Sequence, residues 1–294
     1  METRFGVVGT AHWATNVHSL GLQQTPGARL VGIWGRDLEK TRALAAARGV
    51  AAFARFEDML AEVDAVSFAV PPKIQEELAL RALRAGKHTL LEKPIATTAS
   101  VAWALAEAAK HADAATVVFF MRRFVPEIAD FVARHESGGW REAEVEVRSA
   151  TFASNSPYRN SVWRQIAGSE VWDVGPHILS ILLPLLGSVT AARALPSEGS
   201  FTRFETTHVG GARALSRISQ RADPGDTCNI YRFRGASGEV RAPEPVLDRT
   251  ANYVRAAAAL IERIRDRALV HPCDVALGAE TVGILEQIAP WREA

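Results

Sequence analysis

The chain has 294 residues, 48% hydrophobic and 23% charged, which suits a globular protein with a large core and room for two domains. Its 34 basic and 33 acidic residues leave a net charge of +1, so there is no electrostatic case for nucleic acid or an anionic membrane surface as a partner. Two cysteines, Cys228 and Cys273, are too few for a disulfide framework and lack metal-ligand spacing, so no metal is expected.

The N-terminal Met1-Glu2-Thr3-Arg4 leads straight into a strand with no signal-peptide pattern. The most apolar run, 178–186, is interrupted by Ser180 and Pro184 and is too short to span a bilayer. A cytoplasmic setting is therefore expected, with no membrane partner.

Phe5-Gly6-Val7-Val8 reads as a first buried strand, followed by a helix from about Trp13. Between them lies Gly9-Thr10-Ala11-His12-Trp13-Ala14, which matches the dinucleotide fingerprint G-x-G-x-x-G/A with Ala11 in place of the middle glycine. The fingerprint's logic is a tight turn, a backbone close to a pyrophosphate, and a helix N-terminus whose N–H groups face the phosphates. These six residues are the candidate cofactor-binding turn, and the methyl group of Ala11 lies where that backbone approach is needed.

Residues 30–34 form a second strand ending in Trp34-Gly35-Arg36-Asp37. NAD sites usually place an acidic residue at this end for the ribose 2′-hydroxyl, whereas an arginine suits a 2′-phosphate. Asp37 could be that acidic residue, but it is equally an N-cap for the helix 37–48, and the cap is preferred. NADP(H) is therefore favoured over NAD(H), with Arg36 as a cofactor ligand.

A strong apolar strand at 64–70 precedes a helix at 73–85 that stops at Gly86. His88-Thr89-Leu90-Leu91 is a short buried strand, and Glu92-Lys93-Pro94 follows it directly. The proline biases Lys93 away from helical geometry, and open parallel sheets bind ligands at the carboxyl ends of their strands, so Lys93 aims an ammonium group at such a site. A helix at 98–111 and a strand at 115–120 complete a β/α alternation whose strands lack polar alternation, as in a doubly wound parallel sheet covered on both faces.

The texture changes after residue 121. Residues 144–148 alternate, and further strands are expected at 189–195, 201–208, 212–219 and 228–234, with Gly210-Gly211 as a turn and helices at 254–268 and 275–288. This is an α+β pattern with a large, mostly antiparallel open sheet. The expected division is 1–121 for a Rossmann domain and 122–294 for a substrate-binding and oligomerisation domain, the last helix packing back on the first domain. Asp173-Val174-Gly175-Pro176-His177 opens a predicted helix that places Asp173 and His177 on one face. A histidine supported by a carboxylate, together with a lysine, is a set suited to moving the proton of an alcohol or ketone. The alternative is a capping aspartate and a packed core histidine.

The G-x-[GA]-x-x-A start, Val70-Pro71, Ala85-Gly86-Lys87-His88 leading to Glu92-Lys93-Pro94, Arg122-Arg123-Phe124 with Pro126, and Asp173-x-x-x-His177 occur in an order and spacing that resemble the glucose–fructose oxidoreductase/inositol dehydrogenase family, Gfo/Idh/MocA. The resemblance implies an N-terminal Rossmann domain and a C-terminal open sheet that often forms the subunit interface, as a homodimer or homotetramer. It implies NAD(P)-dependent oxidation of a sugar, cyclitol or related polyol hydroxyl, or the reverse. It further implies that Val70, Pro71, Glu92, Lys93 and Arg123 join the cofactor site, that Lys93 binds the reacting oxygen, and that His177 is the acid/base. Asp173 would bind substrate or support the histidine, Trp163 and Arg164 would line the substrate pocket, and the Lys93–Pro94 peptide would be cis. Ser180 stands where the family often carries an acidic residue. The rival readings are a non-catalytic NAD(P)-binding sensor or scaffold of the same fold, supported by Ala11 and Ser180, and a reductase of a non-sugar substrate.

Overall fold

The computed structural model describes residues 2–136, 138–154, 156, 158–159, 162–166 and 168–292. They divide into two compact units, Met1–Phe124 with Leu247–Glu280, and Val125–Val246 with Thr281–Ala294.

The first unit alternates strand and helix: β1 (Thr3–Val8), α1 (Ser19–Gln24), β2 (Ala28–Trp34), α2 (Leu38–Arg48), β3 (Ala51–Phe53), α3 (Phe56–Glu62), β4 (Ala65–Phe68), α4 (Pro72–Arg84), β5 (His88–Leu91), α5 (Ala99–His111) and β6 (Thr116–Val118). Six parallel strands lie in the order β3-β2-β1-β4-β5-β6, the doubly wound order, which reverses between β1 and β4. The uninterrupted apolar strands follow from burial on both faces: Phe5, Val7, Val8, Ile33, Val66, Phe68, Leu90 and Leu91 are all fully buried.

The helix ends follow local chemistry. Asp37 caps α2 by accepting from the Lys40 N–H at 3.1 Å, and Thr98 caps α5. Gly49 ends α2 in the left-handed region at φ 68°. Before α1, residues Ala14–His18 form a π-turn in which the Ser19 N–H donates to the Ala14 carbonyl.

The second unit holds α6 (Pro126–His135), β7 (Trp140–Arg148), α7 (Ser169–Leu186), β8 (Val189–Glu198), β9 (Phe201–His208), β10 (Arg213–Ser219), β11 (Cys228–Gly235) and β12 (Gly238–Arg241). Its strands run β12-β11-β7-β10-β9-β8, antiparallel except for the central β7–β10 pair. Alternation divides the faces. Ala143, Val145, Val147, Phe204, Ala214, Ile218, Tyr231 and Phe233 are buried, with α7 against β7, β9 and β10. The opposite face carries arginines and glutamates.

Two helices follow β12, α8 (Arg249–Arg265) and α9 (Val275–Ile288). The expected division at 121/122 and the contiguous second domain 122–294 differ from what is seen. The first unit runs on to Phe124 and recovers Leu247–Glu280, so α8 and the start of α9 belong with it. The cause is an apolar face on α8: Tyr253, Ala256, Ala257, Leu260 and Ile261 are buried, and the helix packs on α1, β5 and β6. Among the described residues no helix is long and apolar enough to cross a membrane, and no group of three His, Cys, Asp or Glu side chains is placed to hold a metal ion.

Candidate active site

In the first unit the site is built at the carboxyl ends of β1, β4 and β5. Gly9 has φ 123°, and its N–H donates to the Trp34 carbonyl at 2.8 Å. A Cβ at Gly9 would stand 2.4 Å from the Ala69 carbonyl oxygen and 3.3 Å from Val70, so neither the conformation nor the space admits a side chain. Gly35 is closely approached by side chains, since a Cβ there would lie 2.8 Å from the Thr10 methyl group and 3.0 Å from the Thr41 hydroxyl. Ala14, at the third fingerprint position, is fully buried against the sheet.

Ala11 is exposed, so its methyl group fills no packed space and the glycine-to-alanine change leaves the turn intact. These features fit a dinucleotide: a glycine cradle at the switch point of the strand order, followed by a helical N-terminus. His12 bonds Asn16 at 3.0 Å; partial burial first, and then the Arg249 cation, hold its pKa below the usual imidazole range. Trp13 packs edge-on against Phe119 and His18.

At the end of β2, Arg36 is exposed. The neighbouring Asp37 carboxylate is engaged by the α2 cap and by Lys40 Nζ at 3.2 Å. At the end of β4, Pro71 precedes α4 and its carbonyl accepts the N–H groups of Ile74 and Gln75.

Glu92 and Lys93 leave β5 through a segment fixed on several sides. Gln75 clamps the main chain, accepting from the Glu92 N–H at 2.8 Å and donating to the Glu92 carbonyl at 2.7 Å and the Pro94 carbonyl at 3.2 Å. Buried Glu76 accepts from the N–H and hydroxyl of Thr97. The Lys93–Pro94 peptide is cis. Arg123, in the short turn Met121–Phe124, lies beside His271 and Cys273; burial first, and then this cation, hold His271 near a pKa of about 4.

In the second unit, α7 starts at Ser169, with Gly168 at its N-cap, rather than at Asp173. Asp173 is therefore one turn inside the helix and buried, not a cap. Both carboxylate oxygens are held by Arg164, at 2.9 and 3.1 Å, and Gln220 donates to Oδ2 at 2.7 Å. The Arg164 guanidinium lies 4.3 Å from the Trp163 ring centroid and 4.5 Å from that of Tyr158, a cation between two π-faces. Trp291 stands 5.7 Å from Trp163 and 5.2 Å from Trp172, extending the aromatic wall. His177, one turn beyond Asp173, is half-buried, and its carbonyl accepts from the buried Ser180 hydroxyl at 2.9 Å. Ser180 thus closes a local bond within α7 where an acidic residue was the family's pattern.

Sequence reading missed His18, Ser67, Gln75 and Tyr253, which support the Glu92–Lys93 segment, and Gln220, which supports Asp173. Ser67 and Tyr253 meet across 186 positions, a separation that leaves no local signal.

Residues 3–120 match the family model Gfo/Idh/MocA, described as an oxidoreductase family with an NAD-binding Rossmann fold. The chain is 36% identical over 140 residues to an inositol 2-dehydrogenase of Corynebacterium glutamicum, covering 46% of this chain and 41% of that one. It is 28% identical over 208 residues to a levoglucosan dehydrogenase of Pseudarthrobacter phenanthrenivorans, covering 66% and 52%. The matched stretch thus spans about half the length of these curated relatives. A solved UDP-N-acetylglucosamine 3-dehydrogenase from Acidithiobacillus ferrooxidans shares the fold over 98% of this chain and 97% of its own, with a TM-score of 0.82 at 20% identity. The fingerprint cradle at β1, the Glu-Lys-Pro segment after β5 and these matches agree: residues 3–120 are similar to the NAD-binding Rossmann fold of the Gfo/Idh/MocA oxidoreductases.

Proposed function

We propose that this protein is a nicotinamide-dependent dehydrogenase of a CH–OH group on a sugar, cyclitol or related polyol, or a reductase of the corresponding ketone, with NADP(H) the favoured cofactor. The observation that carries the reading is Lys93: an ammonium-bearing residue at the carboxyl end of β5, the main chain of Glu92 and Pro94 on either side of it clamped by Gln75, in the same unit as a glycine cradle with no room for a side chain.

The bound nicotinamide supplies the hydride acceptor or donor. Lys93 donates a hydrogen bond to the reacting oxygen and stabilises the charge that develops on it. His177 takes the hydroxyl proton on its imidazole in oxidation and returns it in reduction. Trp163 and Arg164 contact substrate, and Asp173 orients Arg164. Arg36 takes a 2′-phosphate, a reading supported by the engagement of Asp37 in the α2 cap and with Lys40. The same reading includes association of two or four copies through the charged outer face of the second sheet.

A screen of both cofactors against sugars and cyclitols, followed by reduced-nicotinamide absorbance, tests it together with His177→Asn. Turnover should appear with at least one polyol, and the variant should lose roughly 10²–10⁴-fold in kcat. Cofactor binding without turnover of any polyol or ketone would leave a binding protein instead.

A further inference from the structure

Four side chains form a line through the interior of the first unit. The Tyr253 hydroxyl lies 2.5 Å from Ser67 Oγ, Ser67 Oγ lies 2.9 Å from His18 Nδ1, and His18 Nε2 lies 3.2 Å from Glu92 Oε1. The other carboxylate oxygen of Glu92 accepts the main-chain N–H of Lys93 at 3.2 Å. His18, Ser67 and Tyr253 are fully buried.

The carboxylate can only accept, so the proton of the imidazole sits on Nε2. In the neutral ring Nδ1 then accepts from Ser67, which accepts from Tyr253. Every donor points toward Glu92, and aligned hydrogen bonds of this kind strengthen one another. Two local features accommodate the line. The π-turn Ala14–His18 turns the His18 ring into the interior, where Trp13 and Phe119 pack edge-on against it. Gly21 leaves space for the Tyr253 ring, since a Cβ there would stand 2.4 Å from it.

Gln75 holds the main chain of Glu92, and the line from Tyr253 holds its side chain. We infer that His18 is a positioning residue for Lys93: through Glu92, the Tyr253–Ser67–His18 chain sets the orientation of the segment that presents the lysine, a role that rests on the proposed assignment of Lys93 to the reacting oxygen. An apolar side chain would fill the same volume without burying three polar groups, so packing alone does not account for the arrangement.

Two substitutions at one position separate the role from packing. His18→Asn keeps a polar atom near the Nδ1 position, facing Ser67, and gives up the bond to Glu92. His18→Gln reaches toward the Nε2 position and can still donate to Glu92. On the full chain, His18→Asn should lower kcat about tenfold with cofactor Kd within about threefold of wild type, and His18→Gln should recover most of that loss. If both variants melt lower to the same degree while each folded molecule turns over as wild type, His18 is a packing residue and the inference falls.

Nitrogen-15 spectra of histidine-labelled protein give a readout that needs no substrate. The His18 proton should reside on Nε2, and Tyr253→Phe, which preserves the ring volume, should shift its resonance. A ring protonated on Nδ1 alone, or a resonance indifferent to Tyr253→Phe, overturns the chain even if His18→Asn does not fold. If the wild-type protein turns over no polyol, the proposed function fails while these spectra still decide the role of His18.

Discussion

Gly9 and Arg36 show how far single residues carry the argument. At Gly9 a positive φ coincides with a carbonyl oxygen 2.4 Å from where a Cβ would be, so the position is closed to every other residue by two independent constraints. Arg36 is different, because nothing in its own packing demands an arginine; it is an exposed cation at the end of β2. Its significance comes from its neighbour. Asp37 would compete as a ribose ligand, but its carboxylate already caps α2 and meets Lys40, and the main-chain bond to the Lys40 N–H holds its pKa below the usual range. Arg36→Ala should therefore weaken NADPH binding by about tenfold to a hundredfold, the worth of a charge-assisted pair, with little change for NADH. Titrating both cofactors against both proteins by fluorescence decides it; a wild type that prefers NADH would exclude the 2′-phosphate assignment.

At the scale of elements, α7 carries the most chemistry. Starting the helix at Ser169 moves Asp173 from an end into the buried interior, where a lone carboxylate would be costly. Arg164 and Gln220 meet that cost, and Arg164 is in turn stacked on Trp163 and Tyr158. Breaking the pair from one side leaves a largely buried charge without its partner, so Asp173→Ala should destabilise the protein by roughly 3 kcal/mol. Arg164→Met should do the same, and the double variant should lose clearly less than the sum of the two. Urea denaturation of the four proteins closes this cycle; strict additivity would mean that the ion pair contributes nothing. Short elements behave in the opposite way. The strand β3 and helix α3 were not foreseen, nor were α6 and β12; β3 and β12 are short and largely exposed, so no apolar run marks them, unlike the equally short but buried β5 and β6.

For the whole molecule, the decisive feature is the outer face of the second sheet. Glu205 meets Arg193 and Arg213, Arg234 meets Glu144 and Glu239, and Arg203 meets Glu198. Exposed pairs of this kind contribute little to the fold of one chain. Repeated across a face, they form a mixed charge pattern that a second copy could match. If that face joins subunits as proposed, association should be salt-dependent, since screening shortens to about 3 Å at 1 M salt. Sedimentation at about 0.05 M and 1 M salt should show a shift toward smaller species at high salt. A mass unaffected by salt, or unaffected by Arg213→Glu with Arg234→Glu, would place the interface elsewhere.

The sequence by itself determined the β/α alternation of the first unit, the cradle at Gly9, the Asp37 cap, the position of Lys93 after β5 and the likeness of residues 3–120 to the Gfo/Idh/MocA oxidoreductases. All of these are written in short stretches of neighbouring residues, where apolar runs, turn residues and caps act directly on the local backbone. The tertiary structure alone decided the rest. It returned α8 to the first unit, paired β7 with β10 in parallel at the centre of an otherwise antiparallel sheet, gave Asp173 to Arg164 and Gln220, and joined Tyr253 through Ser67 and His18 to Glu92. Except for Arg164, which lies close to Asp173 in sequence, these depend on groups far apart in the chain, which meet only because burying apolar surface brings them together, and buried polar atoms must then find partners wherever the packing has placed them.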